Sequence, residues 1–183
     1  MNVPGLILPL VLTMLALDAQ PQREPLRTVP QVDFARYSGT WYEVARLPFR
    51  FQKDCASDVT ANYAPRSDGR ITVTNRCLRA NGEVMEAKGV ARREEGKPNS
   101  VLKVRFAPAF LSFIPAVWGD YQIIALGADY DYAVVGTPDR KWMWILSRTP
   151  VMDPSLYARL KEQAKAQGFD VDRLIETRHT PKR

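Results

Sequence analysis

From Val32 to Ser147 apolar and polar residues alternate with a period of two, in short runs separated by turn-forming residues. This is the pattern of antiparallel strands that bury one face. Eight such runs stand out, at residues 40–46, 57–64, 70–77, 84–93, 100–107, 119–126, 132–137 and 142–147. Ser67-Asp68-Gly69 separates the second run from the third, Asn81-Gly82 the third from the fourth, and Pro138-Asp139 the last two, each a tight-turn sequence. After Ser147 the period changes. Asp153-Pro154 offers an N-cap and a first-turn proline, Leu156, Leu160 and Ala164 recur on one helical face, and Gly168 ends the helix so that Phe169 can fold back on Ala164. A helix with one apolar stripe must lie against a sheet, and Leu174-Ile175 follows as a short ninth strand. The pattern predicts an all-β fold: an eight-stranded antiparallel up-and-down β-barrel with a C-terminal α-helix packed on the outside, a two-sheet sandwich being the alternative.

Ahead of this region lies a different composition. Gly5 to Leu17 is an uncharged, almost wholly apolar run, too short for the roughly 20 residues of a membrane span. It reads as the core of a secretory signal covering residues 1–19, with cleavage after Ala19, although basic residues before it are missing; an uncleaved anchor is the alternative. Residues 20–31, with prolines at 21, 25 and 30, form an extended leader, and residues 32–183 a single domain. No cysteine lies near the cleavage point, so a lipid-modified N-terminus is not expected. The protein is expected to be exported, either periplasmic or secreted, or peripheral at the outer membrane.

The net charge of +6 allows nucleic acid or an anionic membrane as partner and requires neither. His179, the single histidine, sits in a polar tail, and the chain has two cysteines. That inventory leaves no set for a histidine metal centre, a Ser-His-Asp triad or a Cys-His dyad, so neither metal, cofactor nor catalysis is expected. Export favours a Cys55–Cys77 disulfide over a pair of buried thiols. Topology supports the bridge: if the second turn pairs Pro65 with Arg70, Cys77 falls opposite Asp58, three residues from Cys55.

Alternation assigns the faces of the barrel. Leu102, Val104 and Phe106 oppose Val101, Lys103 and Arg105 on one strand. Met85, Ala87, Gly89 and Ala91 oppose Glu86, Lys88 and Arg92 on another. Small residues at inward positions leave room for something other than the barrel's own side chains.

The order of three short motifs carries a resemblance. Gly39-Thr40-Trp41-Tyr42-Glu43 opens the first strand, Asp131-Tyr132 precedes the seventh, and Trp144-Ile145-Leu146-Ser147-Arg148 closes the eighth. Together they resemble the lipocalins, in particular the bacterial outer-membrane lipocalin and apolipoprotein D branch, over about residues 32–176. Physically, Trp41 and Arg148 can stack across the closed end of a barrel, a structural role without chemistry. The resemblance implies ligand contacts at Tyr63, Asn75, Phe106, Tyr121 and Trp144. Alternation adds Val59, Val73, Met85, Leu102, Val104 and Ile123 as apolar lining, with Trp118 and Trp144 filling or framing the space. Such a wall, mostly apolar with a few hydroxyls and one amide, suits a ligand with a long apolar tail and a small polar part. The implied function is binding, storage or transport of a fatty acid or lysophospholipid. The rival is an interaction module with a filled barrel. Haem-binding members of the family use a histidine that this barrel lacks, and the isomerase type needs a free inward cysteine, which a bridged Cys77 does not offer.

Residues 107–118 (APAFLSFIPAVW) join two strands without a single charge, where a loop is ordinarily polar. Strand counting puts Phe110, Leu111, Phe113, Ile114 and Val117 at the same barrel end as Arg50, Lys53, Arg79, Arg140 and Lys141. Three occupants stay open for this loop: an anionic membrane surface, the protein's own cavity mouth, or a second copy in a homodimer.

Overall fold

A computed structural model describes residues 24–181; the expected signal segment lies outside them. Nine strands form one continuous sheet. They are β1 (Gly39–Arg46), β2 (Ser57–Pro65), β3 (Ile71–Leu78), β4 (Val84–Arg93), β5 (Val101–Arg105), β6 (Gly119–Leu126), β7 (Tyr132–Gly136), β8 (Met143–Ser147) and β9 (Ile175–Glu176). Each of β1 to β7 pairs antiparallel with the next strand, and β8 pairs with β1, so the sheet closes on itself as the expected eight-stranded barrel. Closure removes the exposed edges that an open sheet would have to protect.

β1 makes this possible by serving two partners along one edge. Its first half, Gly39 to Tyr42, pairs with Thr60 to Tyr63 of β2. Beyond that point β2 bends away at a bulge, where Asp58 adopts φ 55° and two residues oppose Cys77. The gap is filled from the C-terminus: β9 pairs with Ala45 and Arg46, the Thr177 amide donates to the Val44 carbonyl, and the Asp58 amide donates to Arg178. The tail containing His179 is therefore part of the wall. The His179 ring, only 4% exposed, has Nε2 2.8 Å from the Glu43 carbonyl oxygen.

The Cys55–Cys77 disulfide forms at this bulge, with Cα atoms 5.6 Å apart. The observed register is Pro65 opposite Ile71, one residue from the expected pairing, and the bulge restores Asp58 to a place beside Cys77. The bridge encloses a short loop, and chain entropy alone gives it about 3 kcal/mol. It ties the start of β2 to the end of β3 and so anchors the connection from β1.

A short helix that the alternation did not signal, α1 (Phe34–Tyr37), crosses the base of the barrel. Asp33 caps it by accepting from the Ala35 and Arg36 amides. Helix α1 delivers Tyr37 onto Trp41, with ring centroids 4.8 Å apart, and the Trp41 indole donates to the Tyr37 carbonyl at 2.8 Å. On the outer side the Arg148 guanidinium lies 3.9 Å from the Trp41 ring centroid. It donates to the carbonyls of Arg36, Thr40 and Tyr130 at 2.7, 3.0 and 3.1 Å. Gly39 enters β1 at φ 91°, a conformation that glycine adopts without strain, and a Cβ there would lie 3.5 Å from that guanidinium.

Helix α2 (Pro154–Lys165), capped by Asp153, buries Leu160 and Ala164 against Ile124, Val134, Met143 and Ile145 on the outside of β6 to β8. Residues 24–31 have no regular structure but do not stand away from the barrel. Leu26 joins the α2 cluster, and the Val29 amide donates to the Ile123 carbonyl at 3.0 Å.

Arg148→Ala removes a stacked cation and three charge-assisted hydrogen bonds, so it is expected to cost about 2 kcal/mol, a fall in Tm of roughly 5 °C. A thermal melt followed by circular dichroism measures this. Lost ligand affinity at unchanged Tm would instead place the guanidinium in the binding site.

Candidate functional site

The strands carry their inward side chains from a sealed base to an open mouth, and burial falls along the way. At the base Trp41, Tyr63, Val73, Leu102, Ile123 and Leu146 are buried in one apolar cluster. Higher up, Asn75, Met85, Val104, Tyr121 and Trp144 are half-buried, and Phe106 is 45% exposed. Val59 is buried in the β2 bulge. Loop connections at residues 47–56, 79–83, 106–118 and 137–142 surround the mouth.

Two placements differ from the sequence reading. Trp118 lies outside: its ring is stacked 4.2 Å from the Arg92 guanidinium and 5.2 Å from that of Arg105, and its indole donates to Ser112. The physical reason is parity, since Tyr121 faces inward with its partner Leu102, and Trp118 is an odd number of residues away. Second, the room expected beside the small residues of β4 is partly taken. A Cβ on Gly89 would come within 2.8 Å of the Phe106 ring, so that ring occupies the space over the glycine. β5 ends at Arg105, short of the expected Ala107, because Phe106 turns onto Gly89 and Pro108 cannot extend the ladder. Ala87, toward the mouth on the same face, remains exposed.

Tyrosines provide the polar atoms of the deep interior. Tyr121 Oη is 2.8 Å from both Tyr37 Oη and Tyr63 Oη, a chain of hydroxyls enclosed by apolar side chains. Burial pushes all three phenols up, that of Tyr63 to about 12, because a phenolate there would be desolvated. Asn75 adds an amide whose buried Oδ1 has no hydrogen-bond partner.

Alternation did not disclose a charged cluster on the inner wall. Glu43 pairs with Leu146 and Arg46 with Trp144, both inward positions. The two side chains form a buried ion pair, Arg46 Nη1 to Glu43 Oε1 at 2.7 Å. Thr177 Oγ donates to Glu43 Oε1 at 2.6 Å and Gln52 Nε2 to Oε2 at 2.7 Å, while Gln52 Oε1 accepts from the Trp144 indole at 2.9 Å. Glu43 was readable, being two residues from inward Trp41. Arg46 was not, because a bulge at Val44 shifts the parity of β1.

The uncharged connection folds as two 3-10 turns at Ala109–Leu111 and Pro115–Val117 and leaves Phe110 74% and Phe113 79% exposed. Leu111, Ile114 and Val117 are half-buried. Of the five basic side chains of the rim, two have carboxylate partners among the described ion pairs. Arg79 pairs with Glu83 and Lys141 with Asp139, Arg50 covers Phe51, and Arg140 bonds the carbonyls of Glu24, Pro138 and Gln167. Among the described residues both cysteines are bridged, and no group of histidine, cysteine and carboxylate side chains could hold a metal.

A closed antiparallel barrel, plugged at one end and open over an accessible apolar wall at the other, is the architecture of a small-ligand-binding calyx. The chain belongs to the lipocalin family, whose members bind small hydrophobic ligands: residues 32–179 match the lipocalin-like domain. It is 37% identical to temperature-induced lipocalin-1 of Arabidopsis thaliana over 158 residues, 85% of this chain and 84% of that one. It is 38% identical to the outer membrane lipoprotein Blc of Vibrio cholerae over 154 residues, 83% and 85% of the two chains. With apolipoprotein D of Bos taurus it shares 31% over 153 residues, 79% and 76%. Among solved structures, apocrustacyanin C1 superposes with a TM-score of 0.66 at 14% identity, covering 81% of each chain.

The tyrosine chain has a pH signature. With the folded phenol of Tyr63 near 12 and the unfolded one near 10.0, the protonated group stabilises the fold fully below about pH 10. Stability is then expected to fall as pH rises from about 10 to 12. Absorbance of phenolate against pH, recorded beside circular dichroism, checks this. Tyr37, Tyr63 and Tyr121 should stay protonated in the intact barrel at about pH 10 to 11, where exposed phenols ionise, and their ionisation there would show that the interior admits water freely.

Proposed function

We propose that the protein binds a single-chain amphiphilic lipid, a fatty acid or lysophospholipid, inside the barrel and stores or carries it without chemical change, as an exported protein. The observation that supports this reading is the gradient along the inner wall, buried at the base and accessible around Met85, Ala87, Val104 and Phe106 at the mouth. An acyl chain entering there exchanges water for apolar surface, at about 0.8 kcal/mol per buried methylene. Native mass spectrometry of the purified protein, followed by lipid extraction, tests for a retained ligand. Phe106→Asp puts an uncompensated charge into the acyl path and is expected to weaken binding of a fluorescent fatty acid at least about 100-fold. Phe106 is partly exposed, so the fold should survive, as circular dichroism will report. Binding equal to that of the parent would mean the assigned inner face is wrong.

A second reading adds to the first: the mouth docks on a lipid surface from which the ligand enters. It is favoured by the clustering of exposed apolar side chains at this end, Phe51, Val84, Phe106, Phe110 and Phe113. Arg50, Lys53 and Arg140 have no carboxylate partner in the described ion pairs, so attraction to anionic lipid adds to apolar insertion. Flotation with phosphatidylglycerol vesicles measures it. Phe110→Ser combined with Phe113→Ser is expected to reduce vesicle binding at least about tenfold. Flotation unchanged by the double substitution would sink the docking reading, and concentration-dependent dimerisation abolished by it would assign the loop to a homodimer instead.

A further inference from the structure

On the outside of the barrel, the two stems of the 106–118 connection stand in a cluster of cations that the interior does not use. Arg105 is at its start, Trp118 at its end, and Arg92 of β4 stacks on the same indole. Arg105 pairs with Val90 and Arg92 with Lys103, on the face opposite inward Ala91 and Leu102. Like charges set directly across two strands repel. Lys103 is answered by Asp120 at 2.6 Å, but among the described residues neither Arg92 nor Arg105 makes an ion pair. Arg105 is the sharper case, being only 5% exposed. Its Nη1 donates to the Ala107 carbonyl and its Nε is buried without a partner, while its Nη2 makes no hydrogen bond and is not fully buried.

A guanidinium so far out of water is costly unless a negative group answers it. The indole face offsets part of that charge but takes none of the in-plane N–H donors. Because the two guanidiniums share one ring, they lie within about the 10 Å over which charges act at 0.1 M salt. Together they present two planar forks of donors and no acceptor. A carboxylate has two oxygens in one plane, the match for a single fork. Phosphoryl oxygens are disposed tetrahedrally and can face forks that come from two different strands. Arg92 is exposed and Trp118 half-buried, so the approach is from solvent and does not pass through the barrel. We propose that Arg92 and Arg105, set around Trp118 on the outer wall, form an anion site for a phosphoryl group, that of a soluble phosphoester or of a phospholipid head group. Since Arg105 and Trp118 are the two stems of the connection, an anion held there also braces the loop that carries Phe110 and Phe113. The site does not depend on what the interior holds.

Two arms distinguish the sources. In the first, glycerol phosphate is titrated into the protein by isothermal calorimetry, in low salt free of other phosphate and of sulfate, at a pH of about 8 where the ester carries close to two charges. In the second, the protein is floated with phosphatidylglycerol vesicles. Arg92→Gln alters an exposed side chain and leaves the fold in place, and it is expected to weaken binding about tenfold or more in at least one arm. Arg105→Gln should do the same, and Arg92→Gln decides alone if the buried variant fails to fold. Arg76→Gln is the control. It removes one charge from the same outer wall, where Glu86 already answers it at 2.6 Å, and should change affinity less than about twofold. A selective loss in calorimetry assigns a soluble phosphoester, and a selective loss in flotation alone assigns a lipid head group. Either outcome supports the site. Absence of binding in both arms, binding unmoved by Arg92→Gln, or an equal loss in Arg76→Gln overturns it. Flotation that survives Arg92→Gln but not the double substitution of Phe110 and Phe113 sinks the anion site and leaves the docking reading standing.

Discussion

β1 is hydrogen-bonded along both edges, and the rest of the molecule depends on that. One edge receives β8. The other receives β2 for its first half and β9 for its second, so the sheet has no free end from which to unroll. An eight-stranded barrel of this kind is about wide enough for its own side chains to fill or for one small ligand to occupy. Here Trp41, Tyr37 and α1 seal the base, while Met85, Ala87, Val104 and Phe106 near the other end stay partly accessible. Asymmetry between the two ends, rather than any single residue, is what distinguishes the sealed base from the accessible mouth.

The mouth is shaped by covalent and polar restraints more than by packing. The Cys55–Cys77 bridge fixes one end of the 47–56 connection, and Gln52 fixes its middle by reaching Glu43, Arg46 and Trp144. Phe49 stacks edge-on with Phe51, Trp142 and Trp144, which adds an aromatic collar on that side. Across from it the 106–118 connection is held by the Phe106 ring over Gly89, by the Arg105 bond to the Ala107 carbonyl and by Trp118, which stacks beside two guanidinium groups and donates to Ser112, while Phe110 and Phe113 stand in water. One half of the rim is tethered covalently and the other by stacking and single hydrogen bonds.

What could be read from the chain followed the reach of each periodicity. Alternation located all eight barrel strands and the helix face of Leu160 and Ala164, because each signal spans several residues and both periods are set by backbone geometry. It failed where geometry is local. Helix α1 is four residues long, too short for a period. Arg46 turned inward because one bulge at Val44 exchanged the faces of β1, and no composition signal marks a bulge. Trp118, expected to fill or frame the space, was readable by parity, since counting back from Tyr121 puts it on the outer face. Gly89 shows the complementary limit, since a gap in one strand is visible in sequence but the Phe106 ring that fills it comes from another.

The C-terminal segment completes the wall beside Glu43, and it reaches that place only through α2. The helix docks by Leu160, Ala164 and Phe169, and the chain then runs directly through Val171 and Leu174 into β9. Docking of the helix and sealing of the barrel side are therefore one mechanical event. A change that loosens the helix from β6 to β8 therefore also loosens the strand that covers this side of the interior.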